Sequence, residues 1–314
     1  MSRIVRTLLL ATAMLVGAGT ANPQTITGRT IPSPVYGITL DDVTNVSAEV
    51  KALSQLAKTM TVRVVFDKKV SASYYKSAIQ KLHSEAYIVG ELIDSYYMKQ
   101  FTSITSIQSW TNSYVTTLGS LVDVWEIGNE VNGSWLGTRP SVMSKVEAMY
   151  DIVAAKGGKT ALTFFYEGEP SEPYNCIDRS GGGNDMFTWI NQQFLTSPTT
   201  ETEKIRRGID YALISWYPDQ CPGENPNWPA VYAKLASLFP NAKVGFGELG
   251  TANPENGSSY EVDEISTYYP MGKTLASLPA SYIGGYFWWH SAEEMVPWPG
   301  SLGLALNSAL AAGP

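Results

Sequence analysis

Short apolar runs recur along the chain, each followed by a polar or Gly/Pro-rich turn and then by a longer stretch of helical spacing. The runs are "VYGITL" (35–40), "MTVRVVF" (60–66), "AYIVGELI" (86–93), "VDVWEIG" (122–128), "TALTFFY" (160–166), "YALISWY" (211–217), "KVGFGEL" (243–249) and "SYIGGYFWW" (281–289). Their length and their content of β-branched and aromatic residues predict strands buried on both faces. Between them, "SAEVKALSQLAKT", "SYYKSAIQKLHSE", "SVMSKVEAMYDIVAAKG" and "WPAVYAKLASLFP" repeat apolar residues every three or four positions, which predicts amphipathic helices.

Strand alternating with helix implies parallel strands joined by right-handed crossovers. Eight such units in one chain fit an α/β architecture, the (β/α)8 TIM barrel, as a single domain. The competing architecture, a doubly wound open sheet, lacks its usual mark. The first run continues as "GITLDD", with no glycine fingerprint for phosphate.

The barrel assignment makes a positional demand, because chemistry on this fold sits at the C-terminal ends of the strands. The unusual polar residues fall there. The fourth run ends in Gly128-Asn129-Glu130 and the seventh near Glu248. The sixth ends in Trp216-Tyr217-Pro218, and the eighth in Trp288-Trp289-His290. Two carboxylates on strands four and seven would face each other across the barrel mouth. Glycoside hydrolysis needs such a pair, one protonated and one ionised, and direct attack with retention needs them ~5–5.5 Å apart. Gly128 and Gly247, just before the two glutamates, are expected to leave room for backbone or sugar. Glu126 shares pleat parity with Glu130 and should point the same way but deeper. It needs a partner there, for which Arg63 in the second run is the candidate. Trp125 and Ile127, of opposite parity, should pack under the helices. Asp94, Glu167, Asp219 and Glu293 read as rim or loop residues.

"WEIGNE" and "GFGELG" resemble the two signature strands of the clan A glycoside hydrolases, a (β/α)8 superfamily with an Asn-Glu acid/base on strand four and a nucleophilic Glu on strand seven. The resemblance implies that Glu130 is the general acid/base, Glu248 the nucleophile, and Asn129 the partner of the sugar 2-hydroxyl. It further implies that Tyr217 bonds the nucleophile, that Trp288 or Trp289 floors the sugar site, and that Arg63 lies near the nucleophile. Trp135 is expected to line the cleft. The sequence departs from the clan at histidine. Neither His83, inside a helical stretch, nor His290 fills the usual places, and Tyr96 or Asp94 are the expected substitutes.

Composition narrows the class. A net charge of −7 disfavours nucleic-acid and anionic-membrane partners, which need a basic face. Two histidines and two cysteines are too few for a transition-metal cluster, so a metal-dependent barrel hydrolase is disfavoured and no metal or other cofactor is expected. Arg3 and Arg6 precede "TLLLATAMLVGAG" and then the small residues of "GTAN", which reads as a signal peptide over residues 1–21 ahead of a catalytic domain over 22–314. Secretion or periplasmic export favours a Cys176–Cys221 disulfide, since both cysteines follow neighbouring strands on one face. Sequons stand at Asn45, Asn132 and Asn256. The expectation is a secreted, monomeric, retaining glycosidase acting inside a neutral β-linked polysaccharide. A barrel of the same fold that binds carbohydrate without catalysis is the alternative.

Overall fold

The computed structural model of the protein describes residues 25–169, 176 and 185–314. The expected signal peptide lies outside them. The strands are β1 (Val35–Leu40), β2 (Thr61–Val65), β3 (Tyr87–Glu91), β4 (Val124–Glu126), β5 (Thr160–Phe165), β6 (Tyr211–Trp216), β7 (Lys243–Leu249) and β8 (Gly284–Trp288). They close into one barrel in sequence order, every neighbouring pair parallel, with β8 against β1. The open doubly wound sheet is thereby excluded.

All four expected helices form: Val46–Leu53, Ala72–Glu85, Arg139–Ala155 and Trp228–Leu238. The first stops six residues short of its expected end. The Ser54 hydroxyl donates back to the Lys51 carbonyl, and the Asn307 side chain takes the Ala57 N–H that another helical turn would use. Helix Thr200–Gly208 begins in a capping box between Thr199 and Thr202.

Alternate residues of each strand fill the barrel in layers. Val35, Val89, Val124, Ala161, Leu213 and Phe287 form an apolar base. The segment before β1 closes the bottom. Its Arg29 guanidinium reaches Asp123 at 2.7 Å and the carbonyls of His83 and Ala86. Above the apolar base the interior turns polar, with Arg63, Glu91, Glu126 and Thr163 all buried. The other set of residues, including Trp125, Ile127, Trp216 and Phe246, packs outward under the helices.

Two departures from regular pleating aim the barrel mouth. In β7, Ile214 pairs with Phe246 but Ser215 with Glu248, so Gly247 is an extra residue in the ladder. Regular alternation would put Glu248 on the outer face; the bulge turns it inward. A Cβ at Gly247 would lie 2.7 Å from the Thr163 hydroxyl and 2.8 Å from Leu213 Cβ. At Gly128 it would meet the side chains of Val131 and Leu162 at 2.6 and 3.0 Å. The expectation that these glycines make room for sugar is therefore corrected: packed protein occupies the space at both. The second departure is in β8, where Tyr286 and Phe287 have φ of 73° and 44°, and the register against β1 shifts between Tyr36 and Ile38.

Cys176 and Cys221 are bonded, with Cα atoms 5.3 Å apart. The bridge ties the loop after β5 to the loop after β6 at the barrel mouth. With the cysteines 45 positions apart in the chain, loop-closure entropy predicts that replacing both by serine lowers stability by about 4 kcal/mol. Urea denaturation of the two forms measures it; coincident midpoints would show that the bridge constrains nothing.

Candidate active site

β4 ends at Glu126, and the chain then turns so that Glu130 adopts φ 49°, a left-handed conformation that a glutamate rarely holds without compensation. The compensation is local. Val131 remains in the core, and its N–H donates to the Thr163 carbonyl at 3.2 Å. Asn132 clamps the next strand from both sides, donating to the Phe165 carbonyl at 2.8 Å and accepting from its N–H at 2.7 Å. That sequon is buried and its amide is committed to the fold, so Asn132 is no glycan acceptor in the folded chain. The strained turn delivers the Glu130 carboxyl into a cleft of about 700 Å³ that Glu248 also lines.

The two glutamates sit in different company. Among the described residues, Glu130 accepts hydrogen bonds from two neutral hydroxyls, Ser215 at 2.7 Å and Ser95 at 2.9 Å, with Ser95 held in turn by the Trp135 indole at 3.1 Å. Burial and then the charge of Glu248 push its pKa up to about 8, against the pull of those hydroxyls. Glu248 accepts a hydrogen bond from Tyr217 at 2.6 Å and pairs with the Arg63 guanidinium at 2.8 Å. Burial also pushes Glu248 upward, but here a cation and a phenol oppose the rise, the Arg63 charge more than the Tyr217 bond. The Tyr217 hydroxyl stays a donor, because burial and the Glu248 charge hold its pKa well above 10.0.

Arg63 binds three carboxylates: Glu126 at 2.6 Å, Glu248 at 2.8 Å and Glu91 at 2.9 Å. The Glu126 pairing is as expected, and Glu126 also accepts a hydrogen bond from Thr163. Arg63 itself is 1% exposed and lies beneath the cleft, not on its wall. It lies beside Glu248, as expected, but its inclusion among the substrate-binding residues is corrected: Glu91, Glu126 and Glu248 enclose it, and it does not line the cleft.

Of the other expected site residues, Asn129, Tyr217, Trp135, Tyr96 and Trp289 line the cleft. Asn129 is buried, and among the described residues its carboxamide oxygen has no hydrogen-bond partner. Tyr96 is 65% exposed at the rim. Trp289 stands over Arg63, with the guanidinium carbon 5.7 Å from the ring centroid. Trp288 is corrected. It faces the outer core, buried, and its indole donates to Glu294 at 2.7 Å. The shifted register of β8 lets Phe287 and Trp289 point inward and Trp288 outward. Asp94 lines the rim, where its carboxylate accepts from the Tyr96 N–H at 2.7 Å.

Ser95, Ser215 and Glu91 were missed. For Ser215 a signal existed, since it shares inward parity with Tyr211, Leu213 and Tyr217. Glu91 likewise shares parity with Val89. Among the described residues, Asp41, His290 and Glu293 at the end of β1 and after β8 offer ligand atoms within 4.8 Å of one another and could hold a metal ion. No described helix is long and apolar enough to cross a membrane.

No protein-family model matches the sequence, and no curated protein matches it. Among solved structures, the barrel is similar to β-glucosidase 1317, with a TM-score of 0.55 and 12% identity over 86% of this chain and 88% of that one. It is also similar to Saccharomyces cerevisiae Gas2p in complex with laminaritriose and laminaritetraose, with a TM-score of 0.55 and 13% identity over 92% of this chain and 69% of that one. The GH1 β-glucosidase from Exiguobacterium antarcticum B7 aligns with a TM-score of 0.50 and 10% identity over 79% and 77% of the two chains. These likenesses, at 10–13% identity, show a shared (β/α)8 barrel fold.

Proposed function

We propose that the protein is a secreted, retaining glycoside hydrolase that cleaves β-linked, neutral polysaccharides internally. The observation that carries this reading is the asymmetric pair of buried carboxyl groups in one cleft. Among the described residues Glu130 has hydroxyl partners and is inclined to hold a proton, and Glu248 is paired with a cation and inclined to lose one. Retaining hydrolysis uses those two states. Glu248 attacks the anomeric carbon while Glu130 protonates the departing oxygen. Glu130, now ionised, then takes a proton from the water that releases the sugar. The two serine hydroxyls suit both steps, since each can donate to the carboxylate and accept from the acid. The orphaned Asn129 oxygen is placed to accept from a sugar hydroxyl, and the half-buried face of Trp289 to stack on a ring.

A β-glucan is the first substrate class to test, because the solved neighbours with this fold include β-glucosidases and a protein bound to laminari-oligosaccharides. Export is supported by the N-terminal segment and the Cys176–Cys221 bridge. The expected result is hydrolysis of at least one neutral β-glycan in a panel, with the β-anomer appearing first in proton NMR. An α-anomer as first product would exclude the double displacement.

The pH dependence carries a sign. Glu130 acts as an acid only while protonated, so kcat/KM on substrates with poor leaving groups should decline as pH rises through about 8, the pKa that burial and Glu248 impose. The acid limb belongs to Glu248. A Glu130→Gln enzyme assayed on an activated aryl glycoside should lose the alkaline limb; its persistence would assign that limb elsewhere.

A further inference from the structure

Beyond the catalytic cleft lies a second and larger cavity, of about 1020 Å³, between the segment that follows β6 and the helix Gly257–Tyr268. A narrow ridge separates the two. Tyr217, Gln220 and Cys221 face the cleft, while Pro218, Asp219 and Pro222 face the cavity. Asp219 makes the ridge rigid, accepting from the N–H groups of Ala252 at 3.0 Å and Asn253 at 2.7 Å and from the Asn256 amide at 3.0 Å.

The lining is aromatic and amide-rich. Trp228 and Tyr268 form the floor and half-buried Tyr260 a wall. The carboxamide oxygens of Asn227 and Asn253 are used by the Ala230 and Glu255 N–H groups, which leaves their amide N–H groups as donors at the cavity surface. None of the lining residues is Lys, Arg or His, which disfavours an anionic ligand. Three carboxylates line it, each engaged or buried: Asp219 accepts within the ridge, Glu264 bonds the Tyr260 hydroxyl with its own pKa pushed up to about 7 by burial, and Glu224 is 9% exposed. A basic ligand therefore finds little free negative charge. What remains accessible is mostly ring faces and amide donors, with no cation among the described lining residues, the chemistry that recognises a polyhydroxylated neutral ring.

We infer that this cavity is a second glycan-binding site, which holds a neutral segment of the same polysaccharide beside the catalytic cleft. The inference rests on the glycosidase reading for the identity of its ligand. Holding a polymer at two adjacent points raises its effective concentration at the cleft without touching the chemistry.

The test uses the whole exported chain, with Tyr260→Ala and, because a truncation could disturb packing, Thr267→Arg, which adds bulk at an exposed lining residue. Both variants should raise KM for a polymeric substrate by about tenfold and leave kcat, and all kinetics on a small aryl glycoside, unchanged. Neutral β-1,3- and β-1,4-linked gluco-, manno- and xylo-oligosaccharides should include at least one that slows amide exchange in both 218–229 and 257–268. Wild-type KM on the polymer in both variants would overturn the inference. Protection of the cleft segments alone would overturn it too, as would protection of the cavity by a lysine-rich peptide in place of every oligosaccharide. Cavity protection by an oligosaccharide in a protein that hydrolyses none of the panel would sink the glycosidase reading and leave the second site standing.

Discussion

Replacing Arg63 by methionine is expected to destabilise the protein by about 3–5 kcal/mol near neutral pH, because it strips the counter-ion from buried carboxylates. The guanidinium pairs with Glu91, Glu126 and Glu248, and among the described residues it is the cation that each of these carboxylates pairs with. Burial already raises the Glu91 pKa well above 4.5, and the charge of Arg63 is the main force opposing that rise. Without Arg63 the rise goes further. A carboxyl with a raised folded pKa binds more protons folded than unfolded, so its contribution to stability falls as pH increases above the unfolded value and is recovered as pH is lowered. The Arg63→Met deficit should therefore be large at pH 8 and shrink toward pH 5. Arg63→Lys keeps the charge as a point that cannot span three carboxylates, and should recover part of the stability with little of the activity. Urea midpoints at the two pH values decide the matter. A deficit independent of pH would mean that the loss is one of packing and not of charge.

That buried cluster shows how far the sequence could be read. Strand order, the closed barrel and the two glutamates follow from period and position, and β1 and β7 keep the bounds that their apolar runs define. The Glu126–Arg63 pair followed from parity and the cost of an unpaired buried charge. What alternation cannot supply is a break in alternation. Glu248 faces the cleft because Gly247 adds a residue to the ladder, and nothing in "GFGEL" distinguishes a bulge from a regular strand. β8 hides its geometry in the same way: the positive φ of Tyr286 and Phe287 decides that Trp289, not Trp288, lines the cleft. Ser95 and Ser215 escaped notice for another reason. Parity turns Ser215 inward but does not say what it meets, and Ser95, in a loop, lacks even that; their role appears only when a carboxyl from a different strand arrives within hydrogen-bonding reach, as Glu130 does at 2.9 and 2.7 Å.

The roles of the two glutamates can be separated by removing each in turn. On unactivated glycans both Glu130→Ala and Glu248→Ala should be nearly inactive, the first losing about 10²–10⁴-fold for want of an acid. With an activated aryl glycoside the leaving group needs no proton. Glu130→Ala should then form the glycosyl-enzyme quickly, release aryl alcohol in a burst and stall, with kcat and KM both depressed because the covalent intermediate accumulates. Azide, which needs no base, enters the space left by the carboxyl and attacks the intermediate, yielding the β-glycosyl azide of retained configuration. Glu248→Ala cannot form that intermediate. Azide there takes the place of the missing carboxylate and gives the α-azide by a single inversion. The assignment follows from the partners: Tyr217 and Arg63 favour charge at Glu248, whereas Glu130 meets the hydroxyls of Ser95 and Ser215 and the repulsion of its neighbour. If the two variants exchange these behaviours, the acid and the nucleophile have been named the wrong way round, and the pH profile must be reassigned with them.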